Sequence, residues 1–583
     1  MTLGPFVSFH LRQILAVPDA MLLTTSQTKT KQKAAGFRPA FKGARLIRLS
    51  LTMHRAAIAI ILACTPLFAA CDDRANEAAQ YAAMGAAQLE AGNLAEAREN
   101  AQQAIIARDD IADHFILLGR IELQDGKLPS AFNAFSRALD LQADNLEVLQ
   151  AIAELGLQVG RLSEAEEAAD RMLLLFPGAL RAMLVKGFLA IEAGRLKDAE
   201  RYANDILAQN PNDEGGVILS ARLLALKGDF ESAANTVTRT REVVGDTEAL
   251  NATLLEIYRA QGNAQGMRSE FPKVIAAAGQ DSNYQIDFVN FLYKTGNMTM
   301  ARTEAAKAIA AKPNDPMRLA LLNNLFLEYD RSPLSPAQLS TMAETGTLAT
   351  RLALARFFFD TAQFKEVRSL LAQPLAEGSI EAQALEARIA LAEGRVQEAD
   401  KQINAVLAVD PRNPDALIAR AERRLAARKF DAAIEDANIV VSDAPQEYAG
   451  YAALANAYLA KGSEIRARQV FERGVDFLSQ SELLAARYEA YLRKVGDSAR
   501  IVSLYGDLAA AKPSSEKAWR QFARVCEEFG NRVCKAKIER GLAAAGRSFV
   551  IDEPPGTPRT RGLFARITPE QICRSSGGVC TGT

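Results

Sequence analysis

The chain has 583 residues, with 69 Lys and Arg against 70 Asp and Glu, and a formal net charge of −1. Its hydrophobic fraction of 49% is ample for a core, but aromatics make up only 7%, so close approach of small side chains has to replace bulky filling. Length alone would argue for several globular domains, a prior that a strict internal repeat overrides.

Residues 1–52 carry eight Lys or Arg against one acid, Asp19, and show no periodic pattern. They read as a mis-assigned or disordered leader, with translation expected to begin at Met53. Met53-His54-Arg55 is followed by an apolar run from Ala56 to Ala70 and then Cys71. A short basic start, an apolar centre and small residues before a cleavage point form a secretory signal. The run of 15 residues is short for a membrane span, which disfavours the alternative of an uncleaved anchor. The end of the run, Leu67-Phe68-Ala69-Ala70-Cys71, resembles a bacterial lipobox, with Phe68 where Leu is usual. That resemblance implies a signal peptide over 53–70 and lipidation at Cys71. Asp72 and Asp73 resemble an inner-membrane retention signal, so the expected location is the cell envelope, facing the periplasm, with the inner membrane favoured over the outer. Without residues 1–70 the chain loses +7 and +1 and stands near −9, which is not the charge of a nucleic-acid binder.

From there a ruler of 34 residues runs down the chain. Gly92, Gly126, Gly160, Gly194, Gly228, Gly262 and Gly296 mark it, and after a lapse Gly394, Arg428, Gly462, Gly496 and Gly530 resume it. Five residues after the mark comes Ala, as at Ala131, Ala165 and Ala199; seven before it comes a small residue, as at Gly119, Ala153 and Gly187. Seventeen after it comes Pro, as at Pro177, Pro211 and Pro411. Glycine supplies a left-handed backbone past a helix end, the small residues allow two helices to close up, and proline stops the second helix. Between marks, good helix formers dominate, and apolar residues such as Leu162, Ala165, Ala169, Met172 and Leu173 fall at helical spacing. No comparable stretch alternates with period two.

These positions resemble the tetratricopeptide repeat, a helix–turn–helix unit of 34 residues. The unit with Phe115, Leu118, Gly119, Ala131, Phe135 and Ala138 carries the resemblance well, as does the one with Tyr451, Ala455, Tyr458, Ala467 and Phe471; Trp519 takes the family's favoured Trp place in the last unit. The resemblance implies an all-α, right-handed α-solenoid of about 14 helix–turn–helix repeats. The ruler slips once: Gly296 and Gly394 are 98 residues apart, four short of three periods, with Asp330 and Ala362 as the expected turn positions. Two prolines, Pro333 and Pro336, fall in that interval. The expected organisation is an N-terminal array over 71–316, a degenerate repeat or bend over 317–349, and a C-terminal array over 350–549. A drifted repeat with ordinary packing is the alternative for the middle segment. Residues 550–583, with Pro554-Pro555-Gly556 and later Gly577 and Gly578, read as a loop-rich tail.

Cys526, Cys534, Cys573 and Cys580 lie beyond the lipobox cysteine. In an oxidising compartment an even count points to disulfides. Cys526–Cys534 with Cys573–Cys580 is one pairing; the cross-pairings would pin the tail to the last repeat. Their spacings do not match zinc pairs.

Beyond residue 70 the one histidine is His114, expected as a surface or groove residue. No His–carboxylate–nucleophile set, paired metal ligands or phosphate loop is present, so no enzymatic activity, cofactor or metal is expected. Function is expected to rest on the concave face, which the family lines with first helices. By register, Arg259, Asn290, Tyr293, Lys294, Asn456, Arg520 and Arg524 are the partner-groove candidates. The family's chaperone-tail clamp, Lys and Asn at set places in consecutive units, is absent. The resemblance implies a lipid-anchored periplasmic scaffold for a protein partner, a peptide segment or a subunit of an envelope assembly in secretion, polysaccharide export or cell-wall synthesis. A glycan- or polysaccharide-binding regulator is the second reading, which the scarcity of aromatics disfavours.

Overall fold

The computed structural model describes residues 74–279 and 282–552. Cys71, the signal region, Cys573 and Cys580 lie outside the described residues. The described residues form 28 helices and no strand, an all-α helical-repeat fold.

The periodic residues do what their chemistry requires. The turn glycines Gly92, Gly194 and Gly530 have φ of +80°, +72° and +64°. After the helix Leu180–Glu192, Arg195 N donates to Ala190 O at 2.7 Å, so the left-handed Gly194 lets the chain satisfy an orphaned carbonyl at the helix end. Only Ala362 (φ +60°) and Arg428 (φ +58°) hold a left-handed backbone with a side chain among the described residues; both are turn positions, Arg428 on the ruler and Ala362 32 residues before Gly394. At Gly119 a Cβ would come within 2.8 Å of the Phe135 ring, which is wholly buried, so the two helices of that hairpin meet because no side chain separates them. The alanines five past the turn, Ala97, Ala131, Ala165 and Ala199 among them, are fully buried.

The chain divides into two compact units, one ending at Leu223 and one beginning at Leu224, within the helix Glu214–Leu226. In the first unit, ion pairs tie successive hairpins: Arg98 to Glu122 at 2.6 Å, Arg120 to Glu147 at 2.6 Å, and Lys186 to Asp170 at 2.8 Å. In the second unit, Phe271, Phe291, Phe326, Phe357 and Phe358 are buried together in one apolar core.

The irregular stretch 317–349 lies inside the second unit. Two adjacent repeats are each two residues short. In the first, the helix Pro316–Tyr329 is followed by six linking residues, a ten-residue helix Pro336–Thr345 and a two-residue connection to Leu348. In the second, the helix Phe364–Ala376 has 13 residues and only three connect it to Ile380. Ala362 makes the expected left-handed turn. Asp330 instead is extended, with φ −149°; its carboxylate accepts from Arg302 Nε at 2.7 Å and from Ser332 N at 3.0 Å, which organises the longer linker. Ser335 then caps the short helix reciprocally with Gln338.

Cys526 and Cys534 are joined, with Cα atoms 6.3 Å apart. Cys526 ends the helix Glu516–Glu528 and Cys534 precedes Lys535–Arg547, so the bond staples the last hairpin across its turn.

Candidate functional site

One register position organises the inner face of the second unit. Six residues before each turn position, on successive first helices, stand Glu256, Asn290, Asn324, Arg356, Arg388, Glu422 and Asn456. The repeat places these side chains one above the next, since each hairpin stacks on its neighbour.

Two parts of this face are built from charge. In the middle, Asp415 lies between two guanidinium groups: Arg356 Nη2 donates to it at 2.6 Å and Arg388 Nη1 at 2.8 Å. Arg356 also reaches Glu447 at 2.7 Å, and Arg388 lies 4.5 Å from the centre of the Phe359 ring. Burial would raise the Asp415 carboxyl, but the two arginines outweigh it and hold its pKa below the ordinary range. Nearby, burial raises Asp360, which accepts from the Tyr448 hydroxyl at 2.6 Å, and raises Glu422.

Toward the start of the unit, Arg259 pairs with Glu256 and stands 3.7 Å from Asp287. Asn290, 2% exposed, leaves its Nδ2 without a partner among the described residues. Lys294, one turn on, donates to the carbonyl oxygens of Ser514 at 2.6 Å, of Ala545 at 3.4 Å and of Ser548. The last repeat of this unit therefore returns to its early helices. Lys517 donates to Leu327 O at 2.8 Å, Lys512 lies 3.2 Å from Glu328, and the rings of Phe291 and Phe549 are 5.5 Å apart.

The seven groove candidates are thus placed as follows. Arg259 and Asn290 are buried, and Lys294 is partly buried beneath the end of the last repeat. Tyr293 is buried beside them, its ring stacked on Tyr329 and its hydroxyl 3.4 Å from Asp330. Asn456 is exposed. Arg520 is exposed and pairs with Glu516 at 2.7 Å, while Arg524 reaches Glu489 at 3.5 Å and lies over the Tyr505 ring. His114 is a correction: it is buried, not at the surface or in a groove, because its Nδ1 lies 2.9 Å from Arg108 O and completes the end of the preceding helix. Arg356, Arg388 and Asp415 were not among the sequence candidates, although the first two stand on the six-before-turn position that also picks out Asn290 and Asn456.

Among the described residues no cluster of three or more His, Cys, Asp or Glu is placed to hold a metal ion, and no helix is long and apolar enough to cross a membrane.

The family model for the tetratricopeptide repeat matches residues 83–145 and 151–214. The chain carries tetratricopeptide repeats. Among solved structures it is similar to a tetratricopeptide repeat protein from Parabacteroides merdae, at 19% identity over 43% of this chain and 99% of that one, with a TM-score of 0.35. It is also similar to a thermophilic repeat protein of Thermus thermophilus, at 20% identity over 31% of this chain and 98% of that one (TM-score 0.29). A third is PilW, described as a widely conserved type IV pilus biogenesis factor, at 19% identity over 34% of this chain and 92% of that one (TM-score 0.29). Likeness at this level bears on neither partner nor activity. No curated protein matches the sequence. Tetratricopeptide repeats are scaffolds for contacts between proteins, and stacked hairpins offer extended surface for that purpose.

Proposed function

We propose that this tetratricopeptide-repeat chain is a non-enzymatic scaffold, anchored by lipid at Cys71 and facing the periplasm, whose inner helix faces hold a protein partner in an envelope assembly such as secretion, polysaccharide export or cell-wall synthesis. The observation that carries the reading is the polar stripe at one register position of the second unit, from Glu256 through Arg388 to Asn456. Cations, carboxylates and amides on one repeated face, from the buried Asn290 to the exposed Asn456, match the mixed donors and acceptors of a polypeptide. The lipobox resemblance at Leu67–Cys71 supports the envelope location.

A photo-crosslinking residue at Asn456 or at Arg524, introduced in living cells, tests the surface. Both should yield a discrete protein adduct, and the same group at exposed Ile465, on the second helix Glu464–Phe477, should not. Absence of an adduct at both inner positions would overturn the scaffold reading. Cys71→Ser should abolish fatty-acid labelling; a labelled serine variant removes the anchor.

A further inference from the structure

In the second unit, the chain leaves its last helix, Lys535–Arg547, and passes in irregular backbone over the end of the helix Tyr284–Lys294, where Phe549 meets the Phe291 ring. Phe549 and Ile551 sit partly buried on a core whose other members run from Leu255 to Ile389. Ser548 Oγ lies 2.8 Å from Ser514 Oγ, and Lys294 caps the carbonyls of Ala545 and Ser548. The Asp552 carboxylate accepts from Ser514 N at 2.9 Å, facing Lys294 and Glu328. One turn from Lys294, the buried Asn290 amide keeps an unmet donor.

We propose that the surface formed by Lys294, Phe291 and Ser514 is a docking groove for an extended peptide of the pattern aromatic, any residue, aliphatic, carboxylate, and that Phe549-Val550-Ile551-Asp552 is its intramolecular occupant. The proposal rests on the scaffold reading and names the chemistry of the partner. Two features support exchange, and a third sets its selectivity. The occupant is held by two partly buried apolar side chains and a few polar contacts, set against the ordering of five irregular residues. Its grip on Lys294 runs through carbonyl oxygens, which any extended peptide offers in the same form. A tethered occupant enjoys a high effective concentration, so a partner has to match its pattern in order to displace it. In the resting chain the groove is therefore closed, and the unpaired Asn290 donor is a contact that a longer external peptide gains.

The test uses the full chain and a fluorescent synthetic peptide spanning Arg547–Glu553. Phe549→Ala/Ile551→Ala empties the groove without altering its walls. The double variant should bind the peptide at least tenfold more tightly than the unaltered chain, and Lys294→Gln added to it should remove that gain. A gain under tenfold overturns the proposal. Should the variant lose its helical circular dichroism, the unaltered chain decides. Millimolar peptide should speed amide exchange at residues 549–552, and unchanged exchange overturns the proposal. Failure here with crosslinked protein still captured at Asn456 removes the occupied groove and keeps the scaffold. Peptide binding with no adduct in cells does the reverse.

Discussion

Arg356 and Asp415 are 59 residues apart in the chain and 2.6 Å apart in space, and Arg388 closes on the other oxygen of the same carboxylate. Three first helices are thereby joined through one buried acid. Each guanidinium is partly desolvated, so the acid is worth most as the counter-charge without which two cations would share a low-dielectric site. Breaking a buried pair from one side costs about 3–5 kcal/mol. Asp415→Ala should therefore lower the stability of the second unit by roughly that amount in urea unfolding followed by circular dichroism. Arg520→Ala removes an exposed pair with Glu516 and should change stability by less than about 1 kcal/mol. Equal effects from the two variants would mean that the buried acid does not organise this face.

Ala362 and Arg428 occupy turn positions that every other full repeat gives to glycine or, at Asp330, avoids by a longer linker. A side chain in left-handed backbone costs about 1–2 kcal/mol, while glycine returns about 0.5–1 kcal/mol through the unfolded chain. Ala362→Gly and Arg428→Gly should each stabilise by about 0.5–1 kcal/mol. Gly194→Ala should destabilise by a similar amount. The turn glycines have open space where a Cβ would go, so the effect isolates backbone conformation. A melt in which the glycine variants unfold earlier would contradict this account.

Much of the fold was legible because each repeat states its rules locally. Ala131, Gly119 and Gly126 define one hairpin without reference to any other, and the non-glycine turn at Arg428 still fell on the ruler. The short repeats showed as missing residues, but their form did not. A six-residue linker organised by Asp330 and Arg302 depends on a pair 28 residues apart. The candidate site was harder. Asn290 and Lys294 were legible from register, but their partners at Ser514 and Ser548 were not. That contact arises because a small rotation per repeat accumulates over more than six repeats, and no single repeat encodes the sum. Arg388 stood in the same register and was passed over, since nothing local distinguishes a charge buried by distant helices from one in water.

The Cys526–Cys534 bond closes a loop with a sequence separation of 8. Loop entropy for so short a closure gives about 2.5 kcal/mol at most. Its loss should stay within the second unit, where the last repeat meets both its neighbour and, through Lys294, Lys517 and Phe549, the early helices. Cys526→Ser/Cys534→Ser should speed amide exchange in the helices Glu516–Glu528 and Lys535–Arg547, with exchange in the first unit unchanged. Loss of protection throughout the chain would show that the last hairpin holds far more than its own repeat.

Glu248 opens the helix Glu248–Gln261 with 7% of its surface exposed and with Oε1 lacking a partner. Burial raises its pKa to about 7, above the ordinary 4.5. The folded state therefore binds this proton more tightly than the unfolded state does. Stability contributed by the protonated form is fully present below about pH 4.5 and is lost as pH rises through 7. The ionised carboxylate, once formed, burdens the fold. Glu248→Gln keeps the shape and removes the titration. It should leave stability near pH 4.5 little changed and raise it at pH 8.5 by on the order of 2 kcal/mol. Measured as urea midpoints across that range, the unaltered chain should fall more steeply than the variant as pH rises. Parallel curves would show that water reaches this carboxylate and that Glu248 is not held as a buried acid.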